Sequence, residues 1–144
     1  MDIKKTLRAA YLAKRYKIDA ASHALYTQQL TTIFIDRFKD VLNSNAHLKI
    51  AGYMPFKNEV DCLHIMRCLH ELYPQYRFFV PHIPADNLTL MTFQEINPSA
   101  LENGTALLNN MGCLIKDVPE IYGDDIDIVL TPLLGFDSRL NRLG

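Results

Sequence analysis

Three short segments of the chain are almost continuously apolar, and they constrain its fold more than any other feature. They are residues 48–53, 77–81 and 127–131, and residues that break regular structure bound them. A strand with one face in water alternates apolar and polar residues, whereas a strand covered on both faces does not need to alternate. The three segments therefore predict buried strands in a sheet that helices cover on both faces.

Segments with helical periodicity precede and separate these strands. Residues 2–16 and 59–72 each place apolar side chains on one side of a helix. Asp19 can cap another helix, whose apolar positions are Leu30, Ile33, Phe34, Phe38 and Val41. Residues 88–93 alternate like a half-exposed strand. The order of these segments predicts an α/β fold with a largely parallel, Rossmann-like sheet between two layers of helices.

The composition suits one folded domain and excludes some classes of partner. With 144 residues, 49% of them hydrophobic and 22% charged, the chain is expected to form a single domain over residues 1–144. Its net charge of −1 gives no bulk attraction for nucleic acid or an anionic membrane, so local clusters must carry any phosphate recognition. The charged N-terminus lacks the apolar core of a signal peptide, and no segment has the length of a membrane span. We therefore expect a cytoplasmic protein.

The cysteines and histidines predict neither a metal site nor a nucleophilic site. Cys62, Cys68 and Cys113 lack the spacing of a zinc motif and lie among apolar residues, so we expect buried, reduced thiols. His64 and His70 are six residues apart, which places them on different faces of a helix. The sequence also contains no P-loop motif and no Ser/His/Asp set that its pattern would bring together.

Two loops are expected to form a binding site. In parallel sheets, ligands bind beyond the carboxyl ends of the strands. Residues 54–59 follow the first predicted strand, and residues 132–144 follow the last one. The pattern alone therefore places a site between these two loops.

Motifs in both loops and at the N-terminus together resemble the 5-formyltetrahydrofolate cyclo-ligase family. The segments are KKTLR (residues 4–8), GYMP (52–55), NEVD (58–61), FVP (79–81), MTF (91–93), PLLGFD (132–137) and NRLG (141–144). Each segment is short and would be weak by itself. Together they occur in the family's order over the whole chain, which makes the resemblance specific.

The resemblance implies an enzyme that uses ATP to close a ring on a folate. In this family, ATP phosphorylates the formyl oxygen of 5-formyltetrahydrofolate, and N10 of the folate then attacks the formyl carbon. Loss of phosphate yields 5,10-methenyltetrahydrofolate. The oxygen must be phosphorylated because it is otherwise a poor leaving group. The implied cofactors are ATP and Mg²⁺, and the implied partner is a folate, with no role for nucleic acid or membrane.

The resemblance assigns ATP binding to residues near both ends of the chain. They are Lys4, Lys5, Arg8, Arg142, Leu143 and Gly144. Lys4 and Arg8 are four residues apart and can project from one helix face as a phosphate clamp. The residues alone favour a solvated basic face over a phosphate clamp, and the resemblance favours the clamp, for Arg8 more than for Lys4. The last three residues begin the family's glycine-rich nucleotide loop, in which backbone N–H groups approach phosphates.

Folate binding is assigned by the resemblance to Met54 and Glu59. A carboxylate can accept paired hydrogen bonds from the amino group and ring N–H of a pterin. An alternative based on the residues alone is that Asn58 caps the following helix, with Glu59 and Asp61 near its positive end. No residue is assigned a catalytic or metal-binding role.

The resemblance further predicts that the final strands of the family's sheet are missing. The family's nucleotide loop continues as a glycine-rich run that ends in Tyr-Tyr-Asp. Leu140 replaces a glycine usual in the family, and Asp137 is interpreted as a brace of the turn. Three hypotheses follow: an incomplete cyclo-ligase, a truncated non-catalytic folate-binding module, and a structural or interaction protein. We expect a monomer, or a dimer if a partner covers an open sheet edge.

Overall fold

The computed structural model describes residues 2–83, 91–99 and 120–144. Its helices are α1 (Ile3–Tyr16), α2 (Ala20–Arg37), α3 (Lys39–Asn43) and α4 (Cys62–Leu72), with a 3₁₀ turn at Gly123–Asp125. Its strands are β1 (Lys49–Ala51), β2 (Arg77–His82), β3 (Thr92–Ile96), β4 (Glu120–Ile121), β5 (Ile128–Val129), β6 (Gly135–Phe136) and β7 (Arg142–Leu143). The predicted helices and strands are all present, with ends that shift by a few residues, except that the helix predicted through Val41 is divided into α2 and α3. The strand predicted at residues 127–131 corresponds to β5, but the prediction that it is buried is wrong: β5 lies at one edge of the described sheet, and Val129 is 52% exposed.

Aspartate side chains begin three of the described helices. The carboxylates of Asp2, Asp19 and Asp61 accept hydrogen bonds from backbone N–H groups in the first turns of α1, α2 and α4, at 2.8–3.1 Å. Such caps satisfy N–H groups that have no partner within the helix. The predicted cap at Asp19 is confirmed. The alternative in which Asn58 caps the following helix is wrong, because Asp61 occupies that position.

Among the described residues, five strands form one sheet in the order β4-β3-β2-β1-β5. Strand β1 pairs in parallel with both β2 and β5. Strand β3 is antiparallel to β2 and to β4, so the other four strands point in one direction. The predicted α/β fold with a largely parallel sheet is thereby confirmed.

Both faces of β1 and β2 are buried. Ile50 and Phe78 face a core formed with α2, α3 and α4. The next residues along the strands, Ala51 and Phe79, point to the opposite face and pack there against Phe93. Successive side chains of a strand alternate between faces, so two buried faces require consecutive apolar residues. This explains two of the continuous apolar segments of the sequence, residues 48–53 and 77–81.

Helix α2 does not bury the apolar positions that its periodicity suggests. Thr27 and Thr31 are buried, and Thr31 Oγ1 donates to the Thr27 carbonyl at 2.8 Å. Of the predicted apolar positions within α2, Phe34 packs against the core, whereas Leu30 and Ile33 are 43% and 56% exposed. Phe38 and Val41 lie beyond the end of α2 and are 48% and 47% exposed. Helix α2 also contacts α4, and small threonines on its buried side allow a close approach.

Although α2 is 18 residues long, no helix in the described part of the chain is long and apolar enough to cross a membrane.

The predicted half-exposed strand at residues 88–93 overlaps only the start of β3 (Thr92–Ile96). Residues 84–90 lie outside the described residues, so the first part of that prediction stays untested. Strand β3 buries Thr92, Phe93 and Gln94 in succession. Neighbours on both sides, β2 and β4, make β3 an interior strand.

The cysteines differ in burial. Cys62 is 1% exposed, and burial raises the pKa of its thiol to about 12. Cys68 is only partly buried, because a shift of six residues along α4 turns it away from the core side. Both are free thiols among the described residues, and the expected burial is confirmed for Cys62 alone. Cys113 lies outside the described residues.

Candidate functional site

A cavity of about 410 Å³ lies beyond the carboxyl ends of β1 and β5. Its walls come from the end of α1, one side of α2, and the loops that follow the two strands. Most of the lining is apolar, with side chains that include Ile18, Leu30, Phe34, Val60, Leu133 and Phe136. The charged and strongly polar side chains of the lining are Arg15, His23, Asn58 and Glu59, and tyrosine and threonine residues add hydroxyl groups. A mostly apolar cavity with a few placed polar groups is typical of a small-molecule site.

A second cavity, of about 350 Å³, adjoins the first. The two share Arg15, Glu59, Pro132 and Leu133 in their linings. Among the described residues, Lys57, Arg142 and Gly144 line only the second cavity. Three cationic side chains and one carboxylate therefore surround this smaller space, which suits an anionic ligand.

Glu59 is held at the boundary between the two cavities by a tight turn. Its backbone N–H donates to the Phe56 carbonyl at 3.1 Å, and its Oε2 accepts from the Phe56 N–H at 3.0 Å. The two central residues, Lys57 and Asn58, have φ values of 51° and 59°. Positive φ at both central positions is the pattern of a type I′ turn, which asparagine tolerates and lysine disfavours.

Two neighbouring helices fasten this turn. Asn58 Nδ2 donates to the carbonyls of Arg15 and Ile18, at 2.9 Å and 3.0 Å, where α1 ends. His23 Nε2, from α2, donates to the Glu59 carbonyl at 2.5 Å. Because these contacts come from two helices, the Glu59 side chain has a fixed position relative to both cavities. Its exposed fraction is only 18%.

Arg15 faces Glu59 without making a hydrogen bond to it. Its Nη1 lies 3.8 Å from Glu59 Oε1, and its side chain is 16% exposed. Its Nε is buried and has no hydrogen-bond partner among the described residues. By contrast, Arg77 donates twice to the Glu95 carboxylate, at 2.9 Å and 2.6 Å. A buried donor without a partner is costly, so the Arg15 guanidinium is suited to donate to a ligand.

The predicted ATP-binding residues fall into two groups. Arg142 and Gly144 line the second cavity, and Arg8 reaches them because its Nε donates to the Gly144 carbonyl at 2.6 Å. Leu143 lies in β7 and pairs with Gly135. Lys4 and Lys5 line neither cavity; the exposed start of α1 carries both.

The two predicted folate-binding residues differ in their position relative to the cavities. Glu59 lines both cavities, whereas Met54 lines neither of them.

Sequence reasoning gave no special role to Arg15, although it lies two helical turns after Arg8 and hence on the same face of α1. The spacing between Arg8 and Arg15 could therefore have indicated that Arg15 belongs to the site. His23 offered no such signal, because only the tertiary fold brings it to Glu59.

The turn between β6 and β7 borders the second cavity. Asp137 Oδ1 accepts from the backbone N–H groups of Arg139 and Asn141, and Asp137 Oδ2 accepts from the Asn141 amide, each at 2.9 Å. Its hydrogen bonds to Asn141 and Arg139 hold the pKa of Asp137 below its ordinary value. The interpretation of Asp137 as a brace of the turn is confirmed. In the described residues, no group of three or more His, Cys, Asp or Glu side chains could hold a metal ion.

Comparison with solved structures finds this fold in 5,10-methenyltetrahydrofolate synthetases. The structure from Mycoplasma pneumoniae has a TM-score of 0.71 and 23% identity, over 100% of this chain and 71% of that chain. The NMR structure from Aquifex aeolicus has a TM-score of 0.73 and 19% identity, over 99% of this chain and 66% of that chain. The chain thus has their α/β fold and spans about two thirds of their length. Neither a protein-family model nor a curated protein matches it.

Proposed function

We propose that this protein is a 5-formyltetrahydrofolate cyclo-ligase, which converts 5-formyltetrahydrofolate and ATP to 5,10-methenyltetrahydrofolate, ADP and phosphate. The observation that carries the proposal is the pair of adjoining cavities, one apolar and one basic, that share Arg15 and Glu59. A reaction that passes a phosphoryl group from a nucleotide to a substrate with flat rings needs two adjoining spaces, one for the phosphates and one for the rings. The fold shared with 5,10-methenyltetrahydrofolate synthetases supports this choice of reaction.

The larger cavity would hold the folate. Its apolar walls suit a flat ring system, and Glu59 supplies the acceptor for the amino group and ring N–H of a pterin. One oxygen of Glu59 already accepts from the Phe56 N–H. A carboxylate has about four acceptor positions, so further donors can still bind. Met54, at the start of the same loop, would lie beside the bound folate.

The smaller cavity would hold the phosphates of ATP. Lys57 and Arg142 supply positive charge there, and Gly144 allows a close approach of the backbone. Arg8 would position Gly144 through its hydrogen bond to that carbonyl. Lys4, Lys5 and Leu143 remain proposed neighbours of the nucleotide. Mg²⁺ commonly binds through substrate phosphates and retained waters with one or two carboxylates, and there it would neutralise phosphate charge.

The proposed reaction has two chemical steps. The γ-phosphoryl group moves to the formyl oxygen: its bond to ADP breaks, a new P–O bond forms, and the N5 lone pair supplies the electrons of the iminium. N10 then bonds to the formyl carbon and loses its proton to solvent, while the C–O bond breaks and phosphate leaves. The residues of this chain would orient the two substrates, exclude water and balance charge, which is the main work in phosphoryl transfer.

We further propose that residues 1–144 act as one domain and as a monomer in the cytoplasm. The strands that bring the two site loops together lie in a single sheet, which supports the domain assignment. Size-exclusion chromatography with light scattering would measure the mass in solution. A dimer would indicate instead that a second copy covers a sheet edge.

The test is the absorbance rise of methenyltetrahydrofolate, with 5-formyltetrahydrofolate, ATP and Mg²⁺, on protein of verified intact mass. Formation that requires ATP is the expected result. If folate binds but no product forms under any of these conditions, the protein is a non-catalytic folate-binding module. If neither ligand binds, a structural or interaction role replaces the proposal.

Glu59→Gln provides a sharper test of the folate site. The substitution removes a charge-assisted hydrogen bond, so we expect roughly 10- to 100-fold weaker binding of 5-formyltetrahydrofolate and a smaller change for ATP. Glu71→Gln, on the exposed side of α4, is the matched control. A change in thermal stability alone would mean that Glu59 only supports the turn.

A further inference from the structure

Arg15 occupies the boundary at which a group would pass from one cavity to the other. It lines both cavities, as do Glu59, Pro132 and Leu133. Lys57 and Arg142 line only the smaller one, and Ile18 and His23 only the larger one. Among the described residues, Arg15 is therefore the cationic side chain common to both spaces.

The guanidinium of Arg15 has hydrogen-bonding capacity that the described residues do not use. Its Nε is buried without a partner, and its Nη1 is 3.8 Å from Glu59 Oε1, beyond hydrogen-bond distance. Arginine keeps its charge at all physiological pH values and presents five N–H donors in one plane. A planar set of donors matches the oxygens of a phosphoryl group.

The position of Arg15 is fixed from two directions. Its backbone carbonyl accepts from Asn58 Nδ2 at 2.9 Å, which joins the end of α1 to the turn before Glu59. The Glu59 carboxylate then attracts the guanidinium without occupying its donors at hydrogen-bond distance. A group that is held in place before the ligand arrives need not be reorganised during reaction.

We propose that Arg15 is a catalytic residue that donates hydrogen bonds to the phosphoryl group during its transfer from ATP to the formyl oxygen. This inference rests on the proposed function. During transfer, negative charge lies on the three equatorial oxygens of the phosphoryl group and develops on the leaving ADP oxygen. Arg15 would compensate this charge between the two cavities, whereas Lys57 and Arg142 would bind the nucleotide before reaction.

Two substitutions separate this role from simple binding. Arg15→Met retains an aliphatic side chain of similar length and removes every N–H donor. Arg15→Lys retains the charge and removes the planar guanidinium. Lys14→Met is the matched control, because Lys14 is the exposed neighbour on the same helix.

The first experiment compares turnover with binding. We expect Arg15→Met to bind ADP and 5-formyltetrahydrofolate with Kd values within about 3-fold of the parent, and to form product at least about 100-fold more slowly. Arg15→Lys should be intermediate, and Lys14→Met should match the parent. Product formation by Arg15→Met within about 3-fold of the parent would overturn the inference, as would a loss explained entirely by weaker folate binding.

The second experiment does not need turnover, so it distinguishes failure of this inference from failure of the proposed function. Fluoroaluminate with ADP imitates the transferring phosphoryl group and, with 5-formyltetrahydrofolate present, should tighten ADP binding by the parent. Arg15→Met should bind ADP alone normally and lose that tightening. This result would support the role of Arg15 even if no methenyltetrahydrofolate formed. Retained tightening in Arg15→Met would overturn the inference, whereas no tightening in the parent would overturn the proposed function on which the inference rests.

Discussion

Replacing Asn58 with alanine should weaken the fold and displace Glu59 at the same time. The Asn58 amide makes two hydrogen bonds to carbonyls at the end of α1, at 2.9 Å and 3.0 Å. Its φ of 59° is a left-handed conformation that alanine adopts only with strain. The next residue in the chain is Glu59, so a change in this turn reaches the boundary between the two cavities directly.

The magnitude follows from these two contributions. Each hydrogen bond contributes about 1 kcal/mol to the free energy of unfolding, so the loss of two costs about 2 kcal/mol. The left-handed conformation adds about 1 kcal/mol for alanine. We therefore expect Asn58→Ala to reduce the free energy of unfolding by about 3 kcal/mol, or the Tm by roughly 6–12 °C. Asn58→Gly should recover about 1 kcal/mol of that loss, because glycine adopts positive φ without strain.

Urea unfolding followed by circular dichroism would measure these differences, and a titration with 5-formyltetrahydrofolate would measure the displacement of Glu59. The control is Asn45→Ala, which removes one exposed hydrogen bond, to the His47 N–H at 2.9 Å. It should cost less than about 1 kcal/mol and leave binding unchanged. A loss below about 1 kcal/mol for both Asn58 variants would refute the reasoning, because it would mean that the bonds to α1 contribute nothing in solution.

Further substitutions test other parts of the structure. Leu140 has a φ of 62°, so Leu140→Gly should raise the free energy of unfolding by about 1 kcal/mol in urea unfolding; no gain would mean that the turn is not strained. A Cβ added at Gly52 would lie 2.5 Å from Cys62 Sγ, so Gly52→Ala should cost about 1–3 kcal/mol by overpacking, and an unchanged Tm would contradict this close approach. Hydrogen bonds from Arg77 hold the pKa of Glu95 below its ordinary 4.5. Because the folded-state pKa is the lower one, its contribution to stability is complete above about pH 4.5 and is lost as the pH falls through the folded-state pKa. Glu95→Gln should therefore flatten that part of the acid-unfolding profile, and an identical profile would contradict the role of this pair.

The sequence was sufficient to determine those elements that depend on neighbouring residues of the chain. Consecutive apolar residues correctly predicted β1 and β2 as buried strands, because both faces of these strands are covered. Asp19 and Asp137 act on backbone groups within four residues of themselves, so the helix start and the turn followed from their immediate neighbours. Glu59 was predicted as a site residue through the family resemblance, and the structure places it at the cavities.

Tertiary structure alone decided which side chains meet at the candidate site. Asn58 could not be recognised as the anchor of α1, since its partners are 40 and 43 residues away in the chain. The buried side of α2 contains Thr27 and Thr31 because a close approach to α4 favours small side chains over the larger apolar ones beside them. Arg15 lies between the two cavities because α1 packs beside the loops after β1 and β5. Hydrophobic periodicity indicates which segments form helices or strands, whereas the partner of a polar group depends on the three-dimensional arrangement of segments distant in sequence.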